Sequence, residues 1–314
     1  MPGTSGTSSL CRSHDRRSTG IRILGLLLFG LAPVAGQTTG DRSPAGESRP
    51  MNAYPWKAGE RLEYAVNWGV FHVGDAVIKT ARDLYTDAGA LDPCIRIGMT
   101  VRSSGVLNAI YPVRDAFESC LATDLSRTTR YRKVQTGASD RDTVVAFDYA
   151  DGYVQYTDRG ESLDPVELRG PAFDPFGIVF KARSLDFEPG KTVNLVATDG
   201  KKVSEVDINI IGRETLQTPA GTFEAWLVEP DMKELSLVFK KADGAKVQIW
   251  YSADARRLPL RLRSEIAIGA FDARLTGIGE MPPEVDFLPE IEGEFPEEER
   301  QHEIRRNPRR GGRR

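Results

Sequence analysis

The chain has 314 residues, of which 40% are hydrophobic and 28% are charged, and its formal net charge is −3. This balance supports a sizeable apolar core with a solvated surface and excludes a fibrous protein. The slightly negative charge gives no general attraction to phosphate backbones. We therefore expect no nucleic-acid binding by the folded body.

Residues 1–36 have the features of a secretory signal peptide. An apolar run ends at Val34, small residues follow before Gln37, and four arginines lie upstream: Arg12, Arg16, Arg17 and Arg22. The run is shorter than the roughly 20 apolar residues that a bilayer span needs. We expect cleavage, no transmembrane span in the mature chain, and a periplasmic or secreted location. An uncleaved anchor is the alternative.

The composition predicts one folded domain between two polar segments. Residues 37–53 are rich in Gly, Ser, Pro and charge and are predicted to be a linker. Residues 280–314 carry a block of acidic residues followed by a block of arginines, and like charges in a block resist folding. We expect a disordered tail, either simply solvated or touching an anionic surface through its basic end. The domain is expected over 54–279.

The domain is predicted to be mainly β because short segments alternate between apolar and polar residues. In 205–211, Val206, Ile208 and Ile210 point to one face of a strand. The other strands are predicted at 61–68, 71–80, 94–102, 126–135, 143–149, 191–197, 222–228, 246–251 and 257–266. Turn signals every ten or so residues favour an antiparallel β-roll or open barrel over alternating strands and helices.

One or two short helices are expected within this body. Asp174 is suited to cap a helix, Pro175 to occupy its first position, and the apolar spacing continues to about Ser184. A second helical turn is predicted at 105–110.

Turn residues and aromatic residues give further structural expectations. Pro219 and Gly221 predict a tight hairpin after strand 205–216, and Gly74 predicts a bulge or a close backbone approach. Trp250 and Tyr251 point to opposite faces of one strand, so we expect at most one of them in the core.

Two cysteines, Cys94 and Cys120, remain after the expected cleavage. Export permits a disulfide between them. Two separate buried thiols are an equally good interpretation, because free cysteine is among the most buried residue types.

Several segments resemble the DUF3108 family of exported bacterial proteins. The most specific are TPAGTF at 218–223 and the strand pair containing YSAD and LPLRL within 249–275, and the resemblance covers 54–279. The other similar segments are 62–80, 115–133, 173–185 and 214–230. The resemblance implies an all-β exported domain of rolled or barrel-like form, similar in general shape to periplasmic lipoprotein-sorting proteins. It implies no particular reaction.

Motifs for catalysis, metal binding and phosphate binding are lacking. The sequence contains no HExxH, CxxC, GxSxG, GxGxxG or Walker pattern, and the only histidines after the signal segment are His72 and His302. We therefore expect no metal and no cofactor. Aromatic and charged residues near predicted turns give a candidate ligand site, although each also fits an ordinary structural role: Trp68, His72, Asp75, Arg114 and Asp115.

Three functions remain open from the sequence. The first is a non-enzymatic envelope protein that binds lipid, glycan or a protein partner. The second is a polysaccharide-acting hydrolase or lyase with paired carboxylates in a cleft. The third is a structural module tethered by its tail. The inner surface of the sheet distinguishes them, since an apolar cavity favours lipid, a polar groove favours sugar, and a filled core favours a scaffold.

Overall fold

The computed structural model describes residues 54–87, 90–137, 140–231, 246–266 and 269–281. Contacts divide the chain into Met1–Ala45 and Gly46–Arg314, and every described residue lies in the second unit. The described part forms fifteen strands and two short helices: β1 Glu60–Trp68, β2 Phe71–Asp87, β3 Ala90–Ser103, α1 Gly105–Ile110, β4 Val113–Ala122, β5 Thr128–Gly137, β6 Arg141–Asp148, β7 Tyr153–Asp158, β8 Glu161–Ser162, β9 Val166–Glu167, α2 Gly177–Arg183, β10 Thr192–Thr198, β11 Val203–Thr218, β12 Gly221–Pro230, β13 Val247–Ser252, β14 Pro259–Ile266 and β15 Gly269–Glu280.

All the strands belong to one antiparallel sheet made of two meanders. Strands β10 to β15 follow one another, β15 pairs with β1, and β1 to β8 continue in order, while β9 pairs with β7. The first and last long strands are therefore neighbours in the middle of the sheet. The segment that joins the two meanders contains α2. The expected mainly β fold, with an open sheet and two short helices, is confirmed.

The sheet curls until its edge strand β10 lies close to β5. Residues Ala172 and Phe173 fill the space between them: the amide of Thr128 donates to Ala172 O at 2.9 Å, and Phe173 exchanges backbone hydrogen bonds with Val196 and Thr198. The turn after β10 also packs on the inner face of β6, because a Cβ at Gly200 would lie 2.8 Å from Val145. The result is a strongly rolled sheet with a concave interior.

Helix α2 lies against this concave face and is fixed at its start by Asp174. This fully buried carboxylate accepts hydrogen bonds from the amides of Phe176 and Gly177, at 2.9 and 2.8 Å. It also accepts the hydroxyl protons of Ser119 on β4 and Thr128 on β5. The Asp174 carboxylate thus accepts the first amides of this segment, but the helix begins at Gly177, two residues later than expected, and Phe176 rather than Asp174 occupies the N-cap position. The Asp174 side chain therefore connects the start of α2 to both β4 and β5.

The other end of α2 is fixed by Arg183, the largest fully buried side chain of the described residues. Its guanidinium makes a bidentate ion pair with Glu60 on β1, at 2.6 and 3.0 Å, and donates to Arg256 O at 2.9 Å. It also lies 4.8 Å from the centre of the Trp56 ring. A buried guanidinium is costly unless it is paired, and although Arg183 Nε has no hydrogen-bond partner among the described residues, these contacts favour one position for this end of α2.

Local predictions are mostly confirmed. The hairpin at Pro219 has a two-residue turn with Gly221 at φ 137°. The pairing of β1 with β2 shifts register beside Gly74, where a Cβ would lie 2.2 Å from Arg102 O. Strands β4, β7, β8, β9 and β15 were not predicted as separate elements.

The expectation that only one of Trp250 and Tyr251 joins the core is wrong, because both are buried. Tyr251 points inward and donates to Val179 O in α2 at 2.9 Å. Trp250 points outward, where the Arg261 guanidinium covers its ring at 4.6 Å and Glu214 accepts its indole proton. Long polar side chains can bury an aromatic ring on a solvent-facing surface.

Cys94 and Cys120 form a disulfide between the neighbouring strands β3 and β4, with a Cα–Cα distance of 5.6 Å. This decides between the two interpretations that the sequence left open. The expected signal peptide, linker and nearly all of the expected tail lie outside the described residues, and the last strand extends to Glu280.

Replacing Asp174 with alanine should lower the free energy of unfolding by roughly 2–4 kcal/mol, because four buried donors lose their acceptor. Urea unfolding followed by circular dichroism measures the loss. The exposed Asp164, changed to alanine, is the matched control and should alter stability by less than about 0.5 kcal/mol. Equal losses in the two variants would contradict the capping role.

Replacing Cys94 and Cys120 together with alanine should cost about 2–4 kcal/mol, because the crosslink closes a loop with a sequence separation of 26. Denaturant unfolding with and without a reductant checks this. The reductant should lower the midpoint of the unaltered protein and leave that of the double variant unchanged. An unaltered protein insensitive to full reduction would overturn the prediction.

Candidate functional site

An apolar cavity of about 190 Å³ lies between α2 and the inner face of the sheet. Strands β1 to β5 line one side and β13 to β15 the other, while Pro175, Phe176 and Val179 contribute from the α2 segment. The cavity therefore lies inside the roll, where the two meanders face each other.

Small inward-facing residues leave this space open. Ala76 on β2 and Ala273 on β15 occupy lining positions beside larger neighbours such as Ile78 and Val66. Inward positions recur at every second residue of a strand, and at Ala76 and Ala273 they carry only a methyl group. Helix α2 is held by Asp174 and the Arg183–Glu60 pair, so it does not move inward to fill the gap.

Some polar lining groups are already satisfied within the protein. The Tyr64 hydroxyl donates to Pro259 O at 2.7 Å. The Arg261 guanidinium makes a bidentate ion pair with Asp272, at 2.8 and 2.6 Å. Neither group offers an unused charge to the interior.

Two lining groups on β5 differ from these. Tyr131 and Lys133 occupy successive inward positions, and neither side chain forms a hydrogen bond or ion pair with any residue that the structure describes. Burial lowers the pKa of Lys133 and, with the negative charge of Asp174, raises the pKa of Tyr131 well above its usual value. The cavity lining thus contains a lysine, Lys133, whose charged form is destabilised, and a tyrosine, Tyr131, whose phenol stays protonated.

The neighbourhood of Lys133 is polar on one side. Thr143 is its partner across β5 and β6, and the Thr143 hydroxyl lies 3.3 Å from the Tyr156 hydroxyl. The Lys201 ammonium lies 4.4 Å from the centre of the Tyr156 ring. Burial opposes ionisation of Tyr156, but the Thr143 hydrogen bond and the Lys201 charge outweigh it and lower its pKa.

Three of the sequence-predicted site residues lie in one hairpin, outside the cavity lining. Trp68 is partly exposed and stacks on Phe271, a lining residue, with ring centroids 6.4 Å apart. His72 Nε2 lies 3.1 Å from Asp75 Oδ1, and His72 Nδ1 lies 3.4 Å from Ser104 Oγ. This small polar group is exposed to solvent.

The other two predicted residues, Arg114 and Asp115, point to opposite faces of β4 because they are adjacent in a strand. Asp115 is buried and accepts a hydrogen bond from Gln135 Nε2 at 2.7 Å. Burial raises the pKa of its carboxyl, against the effects of that hydrogen bond and of the Lys133 charge. None of the five predicted residues lines the cavity.

Exposed apolar side chains surround the hairpin. Val70 and Phe71 in the hairpin are 90% and 71% exposed, and Ile110 and Tyr111 after α1 are 78% and 56% exposed. The two groups belong to neighbouring segments, because the Ser104 amide before α1 donates to Val73 O in β2. Such a surface is unusual for a monomer in water.

Sequence reasoning missed Tyr131 and Lys133. They alternate with Arg130 and Arg132 along the strand, so both faces carry cations and the alternation does not reveal which face is inward. The sequence does show that Tyr131 and Lys133 are two residues apart and therefore point to the same face of a strand. Whether that face is inward depends on the strands and the helix that pack against β5.

The described lining residues include no Asp or Glu. The paired carboxylates that a glycosidase needs are therefore not found in this cavity. The ring nitrogens of His72 contact Asp75 and Ser104, outside the cavity. Among the described residues there is also no group of three potential metal ligands.

The model of the family described as "Protein of unknown function (DUF3108)" matches residues 63–276. The chain belongs to this family. The match covers both meanders of the sheet and the α2 segment between them, so the cavity lies wholly within the DUF3108 region. No curated protein matches the chain in sequence.

Two solved structures are similar in fold. A β-barrel-like protein of domain of unknown function DUF1849 from Brucella abortus is 8% identical, with a TM-score of 0.44, and covers 71% of this chain and 98% of its own. A protein with a YmcC-like fold from Bacteroides fragilis is 11% identical, with a TM-score of 0.29. The match covers 72% of this chain and 98% of the Bacteroides fragilis chain.

Replacing Lys133 with methionine should raise the free energy of unfolding, by up to about 1 kcal/mol, because it removes a half-buried unpaired charge and keeps the side-chain length. Since the folded-state pKa is lowered, charged Lys133 destabilises the fold at neutral pH, and the gain should shrink as the pH rises toward 10.5. Urea unfolding at pH 7 and pH 10 measures this. A destabilised variant at pH 7 would contradict it.

Proposed function

We propose that this protein is an exported envelope protein that binds one apolar chain inside its rolled sheet. The apolar cavity beneath α2 is the observation that carries the proposal. It lies within the region that the DUF3108 model matches, and its lining combines aliphatic and aromatic side chains with few polar groups. Binding sites for small apolar ligands have this composition.

The size of the cavity favours a slender ligand. A dry cavity of about 150 Å³ is enough to bind benzene, whereas sites for drug-sized ligands measure about 300–1,000 Å³. A volume of about 190 Å³ lies between the two. It suits a single acyl or isoprenoid chain and is too small for the several chains of a complete membrane lipid.

The lining favours an apolar ligand over a glycan. A sugar needs many hydrogen-bond partners, and two of the polar lining groups, Tyr64 and Arg261, are already bonded within the protein. The described lining residues also include no carboxylate, and a glycosidase needs two. The cavity therefore does not support the alternative of a polysaccharide hydrolase or lyase.

Two observations support an envelope location. The first 36 residues have the pattern of a signal peptide, and the Cys94–Cys120 disulfide belongs to an oxidising compartment. No helix in the described ranges is long and apolar enough to cross a membrane. The exposed side chains of Val70, Phe71 and Ile110 support a lipid surface as the source of the ligand.

Replacing Ala273 with leucine should weaken decanol binding by at least about tenfold, because the added carbons occupy the cavity. Isothermal titration calorimetry with the purified protein measures the affinity. Leucine at Ala65, on the opposite face of the neighbouring strand β1, is the matched control and should leave binding unchanged. Thermal unfolding confirms that both variants fold. Unaltered protein that does not bind decanol would disprove the proposal.

A further inference from the structure

We propose that the bound chain ends in an anionic head group, which Lys133 and Tyr131 hold inside the cavity. This inference rests on the proposed function, since it assigns the polar end of the same ligand. It names the ligand class as single-chain anionic amphiphiles, of which a fatty acid carboxylate is the simplest. The chain lies along the apolar lining, and the head group lies against β5.

The first argument is the lack of internal partners for the two groups. Lys133 lines the cavity, yet no carboxylate in the described ranges lies within ion-pair distance of its ammonium. The nearby carboxylate of Asp115 is instead bonded to Gln135 at 2.7 Å. The Tyr131 hydroxyl lines the same cavity and has no acceptor among the described residues. Both side chains line one apolar space, and an ammonium and a phenol together offer two kinds of donor to an anion.

The second argument is the charge around the two donors. Burial lowers the pKa of Lys133, and the like charges of Arg141 and Lys201 add to this effect, while Tyr156 and Asp115 oppose it. The Lys201 ammonium lies over the Tyr156 ring, on the side of the cavity where the Thr143 and Tyr156 hydroxyls meet. A ligand anion would relieve the repulsion among these cations, and its attraction is strong where water is largely excluded.

The acidic groups nearby are engaged elsewhere. Asp158 accepts the amide proton of Asp142 at 3.1 Å, and Asp199 accepts the amide protons of Lys201 and Lys202. With Asp115 bonded to Gln135, each carboxylate on this side has a local partner. None is positioned in the structure to neutralise Lys133 directly.

The contrast with Arg261 supports a specific role for Lys133. Both residues border the cavity, but the Arg261 guanidinium lies on the outer face of β14, over the Trp250 ring, and has a bidentate partner in Asp272. The protein therefore neutralises one lining cation and leaves the other with no such partner. Keeping a half-buried, unpaired lysine costs stability, and ligand binding is a reason for it to be retained.

The test compares ligands that share one ten-carbon chain: decanoate, decanol and decylamine. Calorimetry with the full chain at pH 7 should show decanoate binding at least about tenfold tighter than decanol, as expected for a charge-assisted contact in a largely dry site. Decylamine should bind more weakly than decanol. Lys133→Met should abolish the preference by weakening decanoate about tenfold and leaving decanol unchanged. Tyr131→Phe should reduce the preference in part.

Lys191→Met is the matched control, because Lys191 is a surface lysine outside the cavity and pairs with Glu188. It should retain the full preference for decanoate. Equal binding of decanoate and decanol by the unaltered protein, or a preference that survives Lys133→Met, would overturn the head-group assignment and leave the proposed function standing. If none of the three ligands binds, both proposals fail.

Discussion

The buried carboxylate of Asp174 is the constraint on which the interior of this protein depends. It joins the start of α2 to β4 and β5 through four hydrogen bonds, while Arg183 joins the end of the helix to Glu60 on β1. Helix α2 is therefore bonded at its start to β4 and β5 and at its end to β1. Burying ionised groups is unfavourable unless they are paired, so these bonds favour one position for α2 rather than a range of packed alternatives.

That fixed position explains why the interior contains a cavity. An apolar helix resting freely on a curved sheet would settle until its side chains met the strands, because empty volume forfeits dispersion contacts. Here the two anchors hold Phe176 and Val179 at a distance from Ala76 and Ala273. The cavity is thus a consequence of polar anchoring combined with small inward residues, and the same anchoring holds it open.

The candidate site was only partly accessible from the sequence. Trp68, His72 and Asp75 were predicted as site residues because they lie near one strand turn, and the structure places all three in the β1–β2 hairpin, outside the cavity. Arg114 and Asp115 could not act together because adjacent strand residues diverge. Tyr131 and Lys133 escaped notice because their strand carries charge on both faces. The inward face of β5 is defined by β4, β6 and α2, none of which is adjacent to Lys133 in the chain.

The sequence by itself determined the local structure: alternation placed most strands, Pro219 and Gly221 set a hairpin, and Asp174 marked the start of a helix. These features depend on dihedral preferences and on side chains within a few residues. The tertiary structure decided the rest. Pairing of β15 with β1, closure by Ala172 and Phe173, the disulfide, and burial of Trp250 beneath Arg261 all join residues distant in the chain. The free energies of these contacts depend on which surfaces pack together, and the pattern of residues within one short segment does not specify its distant neighbours.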